Sequence, residues 1–177
     1  DGGMRDALSL LDQCAGGQGT VSEQVVLDTL GLAGNVETAA LMEQLAARDT
    51  ASALDTLARL YANGKDVGSV LGELSTLARD LLLRKTAPRG GAALMVGGYD
   101  EAAMRRLGEQ LSAQRLLQML TQLQSAAAGL ARSANRRTDA ELCLIRLSDE
   151  GLDESFAGLS ARIARLVERL VQGVPAA

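Results

Sequence analysis

The sequence contains no histidine and no tryptophan, and aromatic residues make up only 2% of its 177 residues. Without histidine, this chain cannot form a Ser–His or Cys–His catalytic pair, a phosphohistidine relay or an imidazole metal site. With so few aromatic side chains, the core must consist of leucine, alanine, valine and methionine, which is typical of packed helices.

Charge and cysteine content exclude further classes. The formal net charge is -4, whereas an autonomous nucleic-acid-binding domain normally has a basic stripe or patch. The two cysteines, Cys14 and Cys143, are too far apart for a disulfide framework or a zinc motif. We expect both to be small buried apolar residues in a reducing compartment. No apolar run approaches the length of a membrane span, and the first residues do not form a signal peptide.

Almost every segment has apolar residues at helical spacing, and none alternates as a half-buried strand would. The sequence therefore predicts an all-α fold, a helical bundle with short connections between its helices. Pro88–Asp100 is glycine-rich and is predicted to be a loop, and Arg132–Arg137 to be a polar connection. The predicted helices begin at or just after Gly3, Ser22 (or Thr20), Asn35, Asp49 (or Thr50), Val67, Asp100, Ser112 and Thr138 (or Asp139).

The last segment has a different period. Six apolar residues fall at spacings of 4, 3, 4, 3 and 4, which is a heptad pattern about three heptads long. Such a helix either joins a partner helix or folds back on its own bundle. We call these residues the C-terminal seam: Leu152, Phe156, Leu159, Ile163, Leu166 and Leu170.

One arginine occupies a position that is electrostatically unfavourable. Arg5 lies in the first turn of the first predicted helix, where free N–H groups have partial positive charge and disfavour a cation. A bound anion would explain this, because helix N–H groups and a guanidinium both bind phosphate, and Gly2 and Gly3 would allow a close approach. The alternative is a surface arginine that pairs with Asp6 or Asp12.

Three other groups of residues have simpler explanations. Gly90–Gly98 lacks the lysine and Ser/Thr of a phosphate loop, so we expect a surface loop there. The basic cluster of Arg132, Arg136 and Arg137 is expected to be solvated or paired with acidic residues of a neighbouring subunit, with phosphate contact as the alternative. Six carboxylates near the C-terminal end are expected on solvated helix faces and at caps. They are Asp139, Glu141, Asp149, Glu150, Asp153 and Glu154.

Three stretches resemble a known family, the gamma/tau subunits of bacterial DNA polymerase III, which are the ATP-driven motor subunits of the sliding-clamp loader. GGMRDALSLLDQ (residues 2–13) resembles the family segment Gly-x-x-Arg-Asp-Ala-Leu-Ser-Leu-x-Asp-Gln. VSEQVVLDTLGL (21–32) is similar to the helix that closes the second domain, and NRRTDAELCLIRL (135–147) to the helix that ends the third. Arg137 and Glu141 stand on family positions, whereas Arg136 replaces the usual proline. The resemblance spans roughly residues 2–150.

The resemblance implies three units. Residues 1–33 would be the C-terminal part of an AAA+ lid domain, and residues 34–150 the helical collar through which subunits join into a five-membered ring. Residues 151–177 would be a C-terminal helix and the start of a linker. It also implies that Arg5 is the sensor 2 arginine, which lies against the γ-phosphate of ATP.

The chain itself has no Walker A motif and no Walker B strand, so the resemblance implies a fragment without ATPase activity. Its full-length parent would bind ATP and magnesium. The implied partners are further gamma/tau copies and the delta and delta prime subunits, with the sliding clamp and primer–template DNA reached only through the full assembly. We expect a homo-oligomer in the cytoplasm, at the nucleoid-associated replisome, with no membrane contact.

A different class of function also fits the residues. In this alternative the chain is an acidic helical adaptor or regulatory bundle that binds a partner helix through the C-terminal seam. A complete small enzyme is disfavoured, because histidine and a nucleophile constellation are both missing.

Overall fold

The computed structural model describes residues 33–89, 91–96, 98–149, 152, 158–160, 162–163 and 166–167. These residues contain helices and connections and no strand, so the predicted all-α fold is confirmed. The first two predicted helices lie outside the described residues. The helices are α1 (Ala33–Ala46), α2 (Thr50–Ala62), α3 (Val67–Thr86), a 3₁₀ helix (Gly91–Leu94), α4 (Glu101–Gln110), α5 (Ala113–Leu130) and α6 (Arg136–Ser148).

Short polar side chains cap the beginnings of α2, α3, α4 and α5. The carboxylates of Asp49, Asp66 and Asp100 accept a hydrogen bond from the backbone N–H three residues later, at 2.9–3.0 Å. Ser112 Oγ does the same at 3.1 Å. Each cap satisfies one N–H group that has no partner inside its helix and stabilises the helix by about 1 kcal/mol. The predicted caps Asp49, Asp100 and Ser112 are confirmed.

Two helices begin earlier than predicted. α1 begins at Ala33, so Asn35 lies in its first turn and is not its cap; its side chain donates to the Gly98 carbonyl oxygen at 3.4 Å instead. α6 begins at Arg136 and is capped by Asn135, not by Thr138 or Asp139. Asn135, Thr138 and Asp139 are all able to cap, and it is Asn135 Oδ1 that accepts the Thr138 N–H at 3.3 Å. Arg136, the first residue of α6, also pairs with Asp66 at 3.2 Å.

α3 lies at the centre of the bundle. It packs against each of the other α-helices and against the 3₁₀ helix. Its inward side is buried, and the neighbouring helices cover it with aliphatic side chains, so the predicted aliphatic core is confirmed. The apolar period of this segment predicts six inward residues, of which Leu82 is half-buried. The other five are buried: Val70, Leu71, Leu74, Leu77 and Leu81.

The connection between α3 and α4 is tied to α3, although it was predicted to be a simple loop. The buried Asp80 carboxylate accepts a hydrogen bond from the Val96 backbone N–H at 3.1 Å. The Tyr99 hydroxyl donates to the Glu73 carbonyl oxygen at 3.1 Å. Burial, together with the nearby charges of Glu73 and Asp80, raises the pKa of Tyr99, so its hydroxyl stays a donor. These contacts fix the edge of a groove described below.

Candidate assembly surfaces

Arg5, the residue expected to contact nucleotide, lies outside the described residues, as do Gly2 and Gly3. Among the residues that the structure describes, no cluster of three or more His, Cys, Asp or Glu side chains is arranged to hold a metal ion. The described helices include none that is both long and apolar enough to span a membrane.

Two arginines of the basic cluster lie at the start of α6 and have partners within the chain. Arg136 pairs with Asp66 at 3.2 Å, and Arg137 pairs with Glu141 at 2.8 Å. The Arg137 guanidinium also lies 5.2 Å from the centroid of the Tyr61 ring. Arg136 and Arg137 therefore have partners within the chain, and pairing with a neighbouring subunit stays a prediction.

Cys143 is buried in α6, as predicted, whereas Cys14 lies outside the described residues. Burial raises the pKa of the Cys143 thiol to about 12, and the nearby Arg146 only partly opposes this. A thiol with such a pKa is neither a nucleophile nor a metal ligand near neutral pH. Cys143 therefore contributes to packing, not to chemistry.

The described members of the C-terminal seam do not pack on the bundle. Leu152, Leu159, Ile163 and Leu166 are all between 44% and 62% exposed. Phe156 and Leu170 lie outside the described residues. The sequence analysis left two outcomes open for the seam, contact with a partner helix or folding back on its own bundle. These four exposed residues do not fold back on the bundle.

One side of α5 is exposed and has no charged residue. Arg115 is the only charged residue in this 18-residue helix, and its guanidinium donates to Gln118 Oε1 at 3.2 Å and to the Leu147 carbonyl oxygen. Because 23% of the whole chain is charged, 18 residues would be expected to include about four charges. Charged residues are depleted at the centres of protein interfaces. We call this surface the α5 face: Gln114, Leu117, Thr121, Gln124, Ser125 and Ala128.

A groove of about 520 Å³ lies between α1 and α4. Glu43 and Arg106, at its rim, neutralise each other through an ion pair of 3.0 Å. Asp100 also borders the groove, and its carboxylate is engaged as the cap of α4. We call this surface the α1–α4 groove. Apart from its charged rim, the groove is lined by Asn35, Val36, Ala39, Ala40, Gly98, Tyr99 and Ala103.

Both surfaces escaped the sequence analysis. The charge-free run that follows Arg115 can be seen in the sequence, but Leu116 and Leu117 are equally apolar there. Only the structure shows that Leu116 is buried and that Leu117 is 56% exposed. The α1–α4 groove joins residues about 60 positions apart, such as Glu43 and Arg106, so no local pattern could have indicated it.

Comparisons with known proteins match this chain to a replication protein. The family model described as DNA polymerase III subunits gamma and tau domain III matches residues 21–154, which include all six α-helices. The DNA polymerase III subunit tau of Bacillus subtilis (strain 168) is 39% identical over 123 residues, which cover 68% of this chain and 21% of that protein. The chain thus spans about a fifth of the length of that relative.

Proposed function

This chain belongs to the DNA polymerase III gamma and tau subunit family, through domain III, and on that basis we propose that it is the assembly part of a clamp-loader motor subunit. The helical bundle would form the collar that joins copies of the subunit to one another and to the other subunits of the loader. One observation supports this proposal most directly: large apolar side chains remain exposed on a bundle whose own core is already filled.

The contrast between the filled core and the exposed side chains is clear within single helices. Leu116 is fully buried, whereas Leu117, the next residue of α5, is 56% exposed. Val36 in α1 is 62% exposed, whereas Leu41 in the same helix is fully buried. Single exposed leucines are common on monomers, but Leu117 and Val36 each lie on a surface without unpaired cations, which suits a protein contact.

The proposed partners are further copies of the subunit and the delta and delta prime subunits. The sliding clamp and primer–template DNA would be engaged only by the complete loader. This chain would contribute no catalytic group itself, and the ATPase activity would belong to the full-length parent with its bound ATP and magnesium.

The test of the assembly role is the solution mass of the 177-residue chain, measured by light scattering across a concentration series. We expect the mean mass to rise with concentration above that of a monomer. A strict monomer at every concentration would contradict self-assembly. Binding to delta prime would then decide whether the domain assembles only with other loader subunits.

We also propose that Arg5 contacts the γ-phosphate of ATP in the parent protein. The proposal rests on residues 2–13 and their resemblance to the sensor 2 segment. A fixed guanidinium there would stabilise charge on the transferred phosphoryl group. It would also allow the γ-phosphate to pull the lid onto the ATPase domain. ATP binding and hydrolysis would then switch this domain closure.

The Arg5 proposal is tested in the full-length protein. We expect Arg5→Ala to reduce ATP hydrolysis and clamp loading by at least about tenfold, since the loss of a transition-state arginine commonly costs more. Arg105→Ala, at an exposed position of α4, is the matched control and should leave both activities unchanged. Wild-type activities in Arg5→Ala would show that the sensor role is wrong.

A second candidate function is an adaptor that binds a partner helix through the C-terminal seam. The exposure of the four described seam residues favours it. In this second proposal the contact with the partner lies C-terminal to the helical bundle. Deletion of residues 152–177 therefore separates the two proposals.

A further inference from the structure

We propose that the α1–α4 groove is the docking site for the segment that directly precedes α1 in the same chain. We call this segment, residues 21–32, the entering segment: VSEQVVLDTLGL. It lies outside the described residues, whereas the groove that would receive it is described. The inference goes beyond the proposed assembly function and does not depend on it, because the contact forms inside one copy.

The groove lies beside the point where the entering segment joins the bundle. α1 begins at Ala33, directly after this segment, and its first two turns supply Val36 and two alanines to the groove. The helix predicted in the segment ends at Leu30, which leaves Gly31 and Leu32 as its connection to α1. Antiparallel helices are commonly joined by about two to five residues. The connection is therefore long enough for the segment to fold back along α1.

The short connection also decides which molecule occupies the groove. Groups that are joined by a short linker meet at an effective concentration of about a millimolar. A separate protein at lower concentration would have to displace a segment that is always present. The occupant is therefore assigned to the chain itself, and the α5 face remains free for contacts with other subunits.

An antiparallel arrangement brings matching residues together. Counting outward from the connection, Leu30 comes opposite Val36, which is 62% exposed and would be covered. One turn further along, Val26 comes opposite Ala40. Helices that dock into grooves use anchors at this spacing of four residues. The alanines that line the groove allow the axes of packed helices to approach closely.

The charged rim of the groove suits the entering segment. Glu43 and Arg106 form an ion pair of 3.0 Å there, and the Arg106 side chain is 57% exposed. In the antiparallel arrangement Glu23, three residues before Val26, would reach this rim. A guanidinium has five N–H donors and can bind a second carboxylate. Docking would therefore leave no uncompensated charge buried, which would be costly.

The groove is held in shape before anything binds. Asn35 Nδ2 donates to the Gly98 carbonyl oxygen at 3.4 Å and so connects the first turn of α1 to the α3–α4 connection. The Tyr99 hydroxyl ties that connection to α3, and Asp100 caps α4. A preformed site loses little conformational entropy on binding. Docking would fix the direction in which the unit that includes Arg5 leaves the bundle.

A disulfide measurement tests the contact in the 177-residue chain. In a Cys14→Ser background, Glu23→Cys combined with Arg106→Cys should form an intrachain disulfide in a glutathione buffer. Glu23→Cys combined with Arg105→Cys is the matched control, since Arg105 is the neighbouring exposed residue of α4 but does not line the groove. We expect the effective concentration of the first pair to be at least about tenfold higher. Cys143 is buried and should not compete.

The mass of the linked product identifies the occupant. A linked monomer on a non-reducing gel supports docking within the chain. Equal linking of the two pairs would overturn the inference, because it would show random collision. Disulfide-linked dimers in place of linked monomers would also overturn it, since a second copy would then occupy the groove.

Hydrogen exchange tests the chain without introduced cysteines. The amides of residues 21–32 should exchange at least about tenfold more slowly in the wild type than in Val36→Arg, because the arginine blocks the groove. Leu117→Arg, on the α5 face, is the matched control and should exchange as the wild type does. Both positions are exposed, so circular dichroism should show that both variants keep the fold.

Equal exchange of residues 21–32 in the wild type and in Val36→Arg would overturn the docking. The assembly function is measured separately, by the rise of mass with concentration. Failure of the docking tests would therefore leave that function standing, and a monomeric chain that passes them would leave the docking standing.

Discussion

Arg48 is a residue whose backbone conformation does not suit its side chain. It has φ of 62° and is the only non-glycine residue with positive φ among those that the structure describes. It ends α1, where the next N–H, of Asp49, bonds to the Gln44 carbonyl oxygen at 2.9 Å. α2 ends in the same way around Gly64, with φ of 85°. Both ends have the Schellman arrangement, which favours glycine at this position.

Replacing Arg48 by glycine is therefore expected to stabilise the fold. The left-handed conformation costs a residue with a Cβ atom about 1–2 kcal/mol, so Arg48→Gly should raise the melting temperature by about 2–8 °C. Gly64→Ala is the reverse substitution at the matched position and should lower it by a similar amount. Thermal unfolding measures both. A lower melting temperature for Arg48→Gly would mean that contacts of the arginine side chain outweigh the backbone cost.

The Cys143 thiol is expected to react only when the protein unfolds. Burial raises its pKa from 9.0 to about 12. Between these two pH values the thiol keeps its proton in the folded protein and loses it in the unfolded protein. This contribution to stability is complete below about pH 9 and is lost as pH rises towards 12. In a Cys14→Ser background, an aromatic disulfide reagent at pH 8 should label Cys143 at the rate of unfolding.

The alkaline behaviour provides a control for this thiol. Cys143→Ala removes the group that titrates, so its free energy of unfolding should fall less steeply than that of the parent between pH 9 and pH 11. Fast labelling of the folded protein, or identical alkaline slopes, would contradict the assignment of Cys143 as a protected core residue.

At the scale of elements, a buried carboxylate of α3 holds one part of the α3–α4 connection. Asp80 is 1% exposed and accepts hydrogen bonds from the Val96 N–H and from Arg79 Nη1. Asp80→Ala leaves the Val96 N–H without this acceptor and should cost about 1–3 kcal/mol. Asp80→Asn keeps one acceptor oxygen and should cost less. Chemical denaturation measures the loss of unfolding free energy in each variant. Hydrogen exchange should be faster at the Val96 N–H in Asp80→Ala than in the parent.

The control for the Asp80 prediction is Asp55, an exposed carboxylate of α2. Asp55→Ala should leave exchange at Val96 unchanged. If Asp80→Ala and Asp80→Asn destabilised the protein equally, the negative charge and not the hydrogen bond to Val96 would be the important feature.

The helices could be predicted from sequence wherever a cap and an apolar period agree. Asp49, Asp100 and Ser112 precede clear periodic runs, and all three are caps in the structure. The start of α6 could not be predicted in this way, because Asn135, Thr138 and Asp139 are all able to cap and the local sequence does not choose among them. The 3₁₀ helix at Gly91–Leu94 likewise depends on packing against α3, which has no local signal.

The candidate surfaces were less accessible to sequence analysis than the helices. A collar domain needs apolar helix faces that remain after its core is filled, but neither the composition nor the resemblance indicates which faces these are. That choice depends on how α5 is rotated about its axis against α3, and this rotation decides that Leu116 is buried and Leu117 exposed. The Arg5 prediction, which depends on a motif, lies outside the described residues and stays a prediction.

At the scale of the whole molecule, the two proposed functions place the contact between subunits in different parts of the chain. The buried core extends from Ala39 to Leu147, and the α5 face and the α1–α4 groove are formed by helices α1, α4 and α5, the last of which ends at Leu130. The C-terminal seam comes after it. A deletion after Gly151 therefore removes one candidate contact and leaves the other untouched.

Deletion of residues 152–177 is expected to preserve both the fold and the assembly. The described residues removed are exposed apart from Gly158, so the melting temperature should stay within a few degrees of the parent, and light scattering should give the same rise of mass with concentration. Ile163→Arg in the intact chain is the matched control, since it disrupts the seam without shortening the chain, and it should also associate normally. A monomeric deletion variant together with a monomeric Ile163→Arg would place the contact in the seam and favour the adaptor. A monomeric deletion with a normally associating Ile163→Arg would mean that the removed segment acts through residues other than the heptad positions.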